Sequence, residues 1–132
     1  MSARKGYRGY IGSRRYFGDR APQHVQNLVI RDYCQRNKFN YLLSATEYAM
    51  DNCFMILEDV VREASQLDGI VMYSIFMLPP DAARRRDVIA RIFAAGAGLH
   101  GAVESLAIAD DQGRMRLEEV WNLRLVQAAT WP

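Results

Sequence analysis

Apolar positions along the chain follow two different spacings. Short apolar runs predict β-strands over 7–11, 41–43, 70–75 and 99–108. Apolar side chains that recur every three or four residues predict helices over 21–37, 52–66, 81–95 and 117–125. Strand and helix therefore alternate four times with short connections. This alternation predicts a mainly parallel, four-stranded sheet with right-handed crossovers and helices on both faces, which is a three-layer sandwich.

The run 70–75 is almost continuously apolar, which is typical of a strand covered on both faces, so we predict that it is the central strand. The 132 residues contain no internal repeat and no linker. We therefore predict a single α/β domain over 1–132, with a flexible segment at 1–6.

Composition indicates a globular protein, because 50% of the residues are apolar and 24% are charged. No apolar run approaches the roughly 20 residues that span a bilayer, so we expect no membrane partner and a cytoplasmic location. Cys34 and Cys53 fall in predicted helices without a CxxC pattern, and we interpret both as buried apolar residues. The sequence predicts no metal site and no cofactor.

Charge is unevenly distributed along the chain. The net charge of +2 is too small to indicate nucleic acid, so nucleic acid is not an expected partner. Cationic residues crowd the first twenty positions: Arg4, Lys5, Arg8, Arg14, Arg15 and Arg20. Next to a helix amino terminus, the last three predict a clamp for phosphate or carboxylate. A second cluster, Arg84 to Arg86, is predicted to be a solvated helix face.

Ligands of open parallel sheets bind at the carboxyl ends of the strands, and this rule selects the candidate residues. We predict substrate binding by the polar residues near those ends: Ser13, Arg14, Arg15, Gln23, Tyr48, Tyr73 and Ser74. For catalysis we select Glu47, His24 and Glu104.

Each catalytic candidate has two interpretations. Glu47 and Glu104 can act as an acid and a base if burial separates their pKa values, or each pairs with an arginine of the first loop. His24 lies in a first helical turn, where a neutral imidazole suits proton transfer, or it is simply a polar helix residue. His100 lies at the start of a strand, and we interpret it as structural.

Five segments resemble the sporadic carbohydrate cluster proteins, a family encoded among bacterial surface-polysaccharide genes. The matching segments are 6–14 (GYRGYIGSR), 22–34 (PQHVQNLVIRDYC), 42–50 (LLSATEYAM), 67–74 (LDGIVMYS) and Val103-Glu104. This resemblance implies a role in making a surface glycan or its nucleotide-sugar precursor. It carries over no established catalytic residue.

The order of elements also resembles the catalytic domain of serine recombinases, in which a first strand ends near a serine and a Gln-bearing helix follows. Ser13 is close to the position of that nucleophile. The Asp-Arg-Leu-Gly-Arg segment of that family is replaced here by residues 73–80 (YSIFMLPP), which have no arginine to hold a scissile phosphate. The resemblance therefore implies the fold without recombination. We predict an α/β three-layer sandwich of resolvase-like or flavodoxin-like type.

These observations favour a small enzyme of carbohydrate biosynthesis that uses acid and base residues on an anionic sugar or nucleotide sugar. The alternative is a non-catalytic protein that binds a sugar metabolite or a pathway partner. A third interpretation, nucleic-acid binding through the basic start, requires strongly salt-dependent association. Apolar residues of the last helix predict a homo-oligomer: Trp121, Leu125, Val126 and Trp131.

Overall fold

A computed structural model describes residues 4–13 and 21–130, with the side chain of Thr130 left out. Within this part of the chain the strands are β1 (Tyr7–Gly12), β2 (Tyr41–Glu47), β3 (Gly69–Met72), β4 (Gly98–Gly101) and β5 (Leu106–Ile108). The α-helices are α1 (Gln23–Arg36), α2 (Met55–Glu63), α3 (Ala82–Ala94) and α4 (Asp111–Thr130). Short 3-10 helices cover Ala64–Gln66 and Ile75–Met77.

In the described residues the strands form one sheet in the order β2-β1-β3-β4-β5. The first four are parallel, and β5 runs antiparallel to β4. The predicted α/β fold is confirmed, but the sheet has one strand more than expected. The apolar run 99–108 is split at Ser105, whose backbone adopts φ of 51° and whose N–H donates to the Ala102 carbonyl at 3.2 Å. This turn sends β5 back along β4.

Helices cover both faces of the sheet, as the three-layer prediction requires. One face packs with α2, α3 and α4 in a large cluster that includes Ile70, Met72 and Trp121. The other face packs against α1 in a smaller cluster that includes Val71 and Cys34. The side chains of β3 alternate between these clusters and are fully buried, which fits a strand covered on both faces. Burial also raises the pKa of the Cys34 thiol to about 11.

The arginine cluster on α3 is not a wholly solvated face, so that prediction is wrong at Arg85. Its side chain is only 3% exposed. The guanidinium donates to the carboxylate of Glu118 on α4 at 2.7 and 3.1 Å and to the carbonyls of Pro79 and Pro80 at 3.0 Å each. Its central carbon lies 4.0 Å from the ring centroid of Trp121. The buried Arg85 side chain therefore links α3 to α4 and to the segment before α3.

The last helix only partly presents the surface expected for a homo-oligomer. Trp121 is 2% exposed and belongs to the core, whereas Leu125 and Val126 are 47% and 61% exposed. Trp131 lies outside the described residues. Self-association stays a prediction.

The described residues before β1 are hydrogen-bonded to the rest of the domain. Arg4 donates from its guanidinium to the carbonyls of Leu67 at 2.6 Å and Ala95 at 2.8 Å. Residues 1–3 of the segment predicted to be flexible lie outside the described residues. No helix of residues 4–13 and 21–130 is long and apolar enough to cross a membrane.

Candidate functional site

The strand order identifies one edge of the sheet as the place for a ligand. From β1 the chain crosses to β2 on one side, and from β2 it returns over β1 to β3 on the other. β1 and β3 are therefore the neighbours at which the direction of winding reverses. Ligands of doubly wound sheets bind outside the carboxyl ends of such strands. In this chain those ends are at Gly12-Ser13 and Met72-Tyr73.

Ser13 stands at this crevice and is paired with the start of α1. The amide of Gln23 donates to the Ser13 hydroxyl oxygen at 2.6 Å. One turn further, the side chain of Gln26 accepts from the Gly12 N–H at 3.1 Å and donates to the Gly12 carbonyl at 2.7 Å. These bonds fix the end of β1 against the amino terminus of α1. His24, in the same first turn, is exposed.

Glu47 lies at the end of β2 and points into the protein. Its carboxylate accepts from the Tyr10 hydroxyl at 2.8 Å and from the backbone N–H groups of Leu57 at 3.0 Å and Ile56 at 3.1 Å. It also accepts from the N–H of Tyr48 at 3.1 Å and from the Cys53 thiol at 3.8 Å. With 3% exposure, the carboxylate satisfies free N–H groups at the amino terminus of α2.

Glu104 has the same kind of role at the end of β4. It accepts from the Ser74 hydroxyl at 2.7 Å and from the Ile75 N–H at 2.9 Å. Ser74 in turn accepts from the Phe76 N–H at 3.2 Å, so this pair shapes the loop after β3. Two strands, β1 and β3, separate the ends that carry Glu47 and Glu104. Each carboxylate therefore serves a different loop.

The ends of β1 and β2 pack closely against each other and against the loop after β3. A Cβ atom at Gly12 would lie 3.3 Å from the Cβ of Glu47 and 3.6 Å from the Cε of Met77, which joins the ends of β1 and β2 to the loop after β3. Tyr73 continues β3 beside them, and its N–H donates to the Tyr10 carbonyl at 3.3 Å. Arg14 and Arg15 lie outside the described residues. The binding and catalytic roles assigned to these residues stay predictions.

Two features of this edge were missed from the sequence. Gln26, which is 1% exposed, is the residue that ties β1 to α1, and its position on the inward stripe of the helix was the available signal. Tyr48, Met50 and Met55, which lie on or next to the connection between β2 and α2, are exposed at 52%, 60% and 62%. Only Tyr48 of this group was selected.

His100 lies in β4, and its side chain faces α1. Its Nδ1 shares a hydrogen bond with the Tyr33 hydroxyl at 2.8 Å. Burial lowers the pKa of His100 to about 4, because the charged imidazolium loses hydration there. Within residues 4–13 and 21–130, no three His, Cys, Asp or Glu side chains are grouped so that they could hold a metal ion.

Known proteins resemble this chain in fold. The N-terminal catalytic domain of TP901-1 integrase superposes with a TM-score of 0.59 and 11% identity, covering 95% of this chain and 99% of that one. A resolvase family site-specific recombinase from Streptococcus pneumoniae superposes with a TM-score of 0.64 and 9% identity, covering 93% and 91%. No family model matches the sequence. No curated protein matches it either.

These neighbours confirm the resolvase-like fold and overturn the predicted function. The resemblance to the sporadic carbohydrate cluster family finds no support in them. The predictions of carbohydrate biosynthesis, of a sugar or nucleotide-sugar ligand, and of nucleic acid as an unexpected partner are wrong. The two superposed proteins are an integrase catalytic domain and a site-specific recombinase, and neither is a carbohydrate biosynthesis protein. At 9% and 11% identity, the likeness itself shows the fold alone.

Proposed function

We propose that this chain binds the phosphate backbone of nucleic acid along the edge where β1 meets α1. The observation that carries the proposal is the charge distribution. Residues 1–38 contain nine Lys and Arg against two Asp, a net charge of +7, whereas residues 39–132 contain eight Lys and Arg against thirteen Asp and Glu, a net charge of −5. The small total charge conceals a basic first segment, in which Arg14, Arg15 and Arg20 come between β1 and α1 in the sequence. Arg8 is paired with Glu63 and Arg36 with Asp32. Clustered cations of this kind attract phosphate chains.

The groups at this edge are the types that contact phosphates. Ser13 and Gln23 supply a hydroxyl and an amide, and the N-cap residue of α1, Pro22, makes no side-chain hydrogen bond to the first turn. Arg14 and Arg15 follow Ser13 in the sequence. Serine, glutamine, arginine and helix amino termini all donate to phosphate oxygens in nucleic-acid complexes.

The proposal is binding without strand exchange. The solved neighbours include a site-specific recombinase, which supports a nucleic-acid partner. The segment 73–80 after β3 contains no arginine, and this difference from the serine recombinase pattern argues against the same chemistry. A cytoplasmic location is part of the proposal, since the buried free thiol of Cys34 suits a reducing compartment.

Fluorescence anisotropy with labelled single-stranded and duplex DNA tests the proposal. We expect binding that weakens steeply between about 50 mM and about 200 mM salt. The variant Arg14→Gln/Arg15→Gln should bind about tenfold more weakly at low salt and reduce the salt slope by about 1 to 2. The matched control Arg86→Gln/Arg116→Gln removes two exposed arginines of α3 and α4 and should bind like the wild type. If the wild type did not bind at low salt, the proposal would be refuted. An equal loss of affinity in the two double variants would refute it as well.

A further inference from the structure

Apolar side chains are displayed to solvent on the connection between β2 and α2. Tyr48, Met50 and Met55 are each more than half exposed. The backbone that carries them is fixed, because the N–H groups of Tyr48 and Ile56 donate to the buried Glu47 carboxylate. The N–H of Cys53 also donates to the Met50 carbonyl at 3.3 Å. A group of exposed apolar side chains on a fixed backbone is the kind of surface that indicates a binding partner.

The aromatic ring of this group belongs to the residue beside the proposed phosphate edge. Gly12 of β1 and Glu47 of β2 are register partners. Ser13 and Tyr48 are the next residues after this last register pair, and neighbouring strands of a sheet lie about 5 Å apart. A phosphate bound at Ser13 would have its own nucleotide within reach of the Tyr48 side chain.

We propose that Tyr48, flanked by Met50 and Met55, stacks on an unpaired base, so that the preferred ligand is single-stranded nucleic acid. This inference rests on the proposed function and names its ligand class. In a duplex, the neighbouring base pairs cover the faces of each base, and an aromatic side chain reaches a face only where the base is unstacked. The adaptable thioether side chains of the two methionines suit the edges of such a base. A basic edge beside an aromatic platform is the combination that single-strand binders use.

Three labelled probes distinguish binding to bases from binding to the phosphate backbone. They are an oligothymidylate, an abasic chain with the same number of phosphates, and a duplex of the same length. By anisotropy at low salt, the wild type should bind the oligothymidylate at least about fivefold more tightly than the abasic chain or the duplex. Tyr48→Ala should remove this preference without changing the affinity for the abasic chain. Tyr48→Phe should retain it, because the phenyl ring still stacks.

The control Met115→Ala removes an exposed methionine from α4 and should behave like the wild type. Met50→Ser is a second variant on the platform, and we expect a partial loss of the preference. Thermal unfolding of each variant checks that the fold is intact. Tyr48→Ala could leave the preference for the oligothymidylate unchanged, or lower the affinity for the abasic chain by the same factor. Either result would refute base stacking by Tyr48 and leave the proposal of backbone binding in place.

Two further outcomes also count against the inference. Equal affinity of the wild type for all three probes, with the expected salt dependence, would mean backbone binding alone. Light scattering could also show that the wild type is a dimer and that Tyr48→Ala is a monomer. This result would mean that a second copy of the chain covers Tyr48. Failure of the wild type to bind any probe would instead remove the proposed function itself.

Discussion

At the scale of single residues, the chain buries ionisable groups in two different ways. Glu47 and Arg85 keep partners that complement a charge, whereas His100 shares its Nδ1 with the neutral hydroxyl of Tyr33. Burial lowers the pKa of His100 from 6.5 to about 4. The unfolded chain therefore binds a proton at a higher pH than the folded protein does.

This difference predicts how stability responds to acid. The contribution of neutral His100 is fully present above the unfolded pKa of 6.5 and is lost as the pH falls through the folded pKa of about 4. Between about pH 7.5 and about pH 4.5, the wild type should lose about 2 kcal/mol more unfolding free energy than His100→Gln, which has no group to protonate. Urea denaturation at the two pH values measures this difference. Identical pH dependence in the two proteins would contradict the assignment.

At the scale of elements, buried side chains complete the backbone of neighbouring helices. No side-chain hydrogen bond from Phe54, its N-cap residue, caps α2. The carboxylate of Glu47, which comes from β2, instead accepts from the N–H groups of Ile56 and Leu57. Glu47 of β2 thus determines where α2 starts. The same carboxylate holds the connection that carries the exposed residues Tyr48 and Met50.

Removal of this carboxylate should be costly. We expect Glu47→Ala to lower the unfolding free energy by about 2 to 4 kcal/mol, because buried N–H groups and the Tyr10 hydroxyl lose a charged acceptor. Glu119→Ala, which truncates an exposed glutamate of α4, should change it by less than about 0.5 kcal/mol. Chemical denaturation of both variants supplies the measurement. If Glu47→Ala also changed the unfolding free energy by less than about 0.5 kcal/mol, the carboxylate would not support α2.

At the scale of the whole molecule, the sheet is covered unevenly. α1 alone packs on one face among the described residues, whereas α2, α3 and α4 share the other. The last helix is attached through Leu117 and Trp121 in the core and through the ion pair of Glu118 with Arg85. Arg85 therefore connects the end of the chain with the segment that follows the central strand.

Loss of Arg85 should loosen this attachment. Arg85→Ala leaves the Glu118 carboxylate and two carbonyls without their donor, and we expect about 3 kcal/mol of lost stability. Arg86→Ala, from the exposed neighbour, should cost less than about 0.5 kcal/mol. Urea denaturation followed by circular dichroism measures both unfolding transitions. Equal midpoints for the two variants would contradict a structural role for Arg85.

The sequence by itself determined the elements, because the spacing of apolar residues is a local record of which side faces the core. The positions of β1, α1 and α3, the alternation that gives a parallel sheet, and a buried central strand all follow from that spacing. The central strand is Gly69–Met72, whereas the spacing predicted 70–75, and Ile75 begins a 3-10 helix. The same logic predicts that Arg14, Glu47, Tyr73 and Glu104 lie along one edge, since the carboxyl ends of parallel strands meet there. Arg14 lies outside the described residues.

Only the tertiary structure decided what those polar side chains do. Spacing cannot tell whether a glutamate at a strand end faces a ligand or the free N–H groups of a helix that arrives from elsewhere, and Glu47 and Glu104 both face the protein. It also cannot distinguish Arg85 from Arg86 without the position of Glu118, which lies 33 residues further along the chain. The turn at Ser105 that adds a fifth strand depends on pairing between β4 and β5. Each of these outcomes depends on contacts between distant segments, and a local pattern contains no information about such contacts.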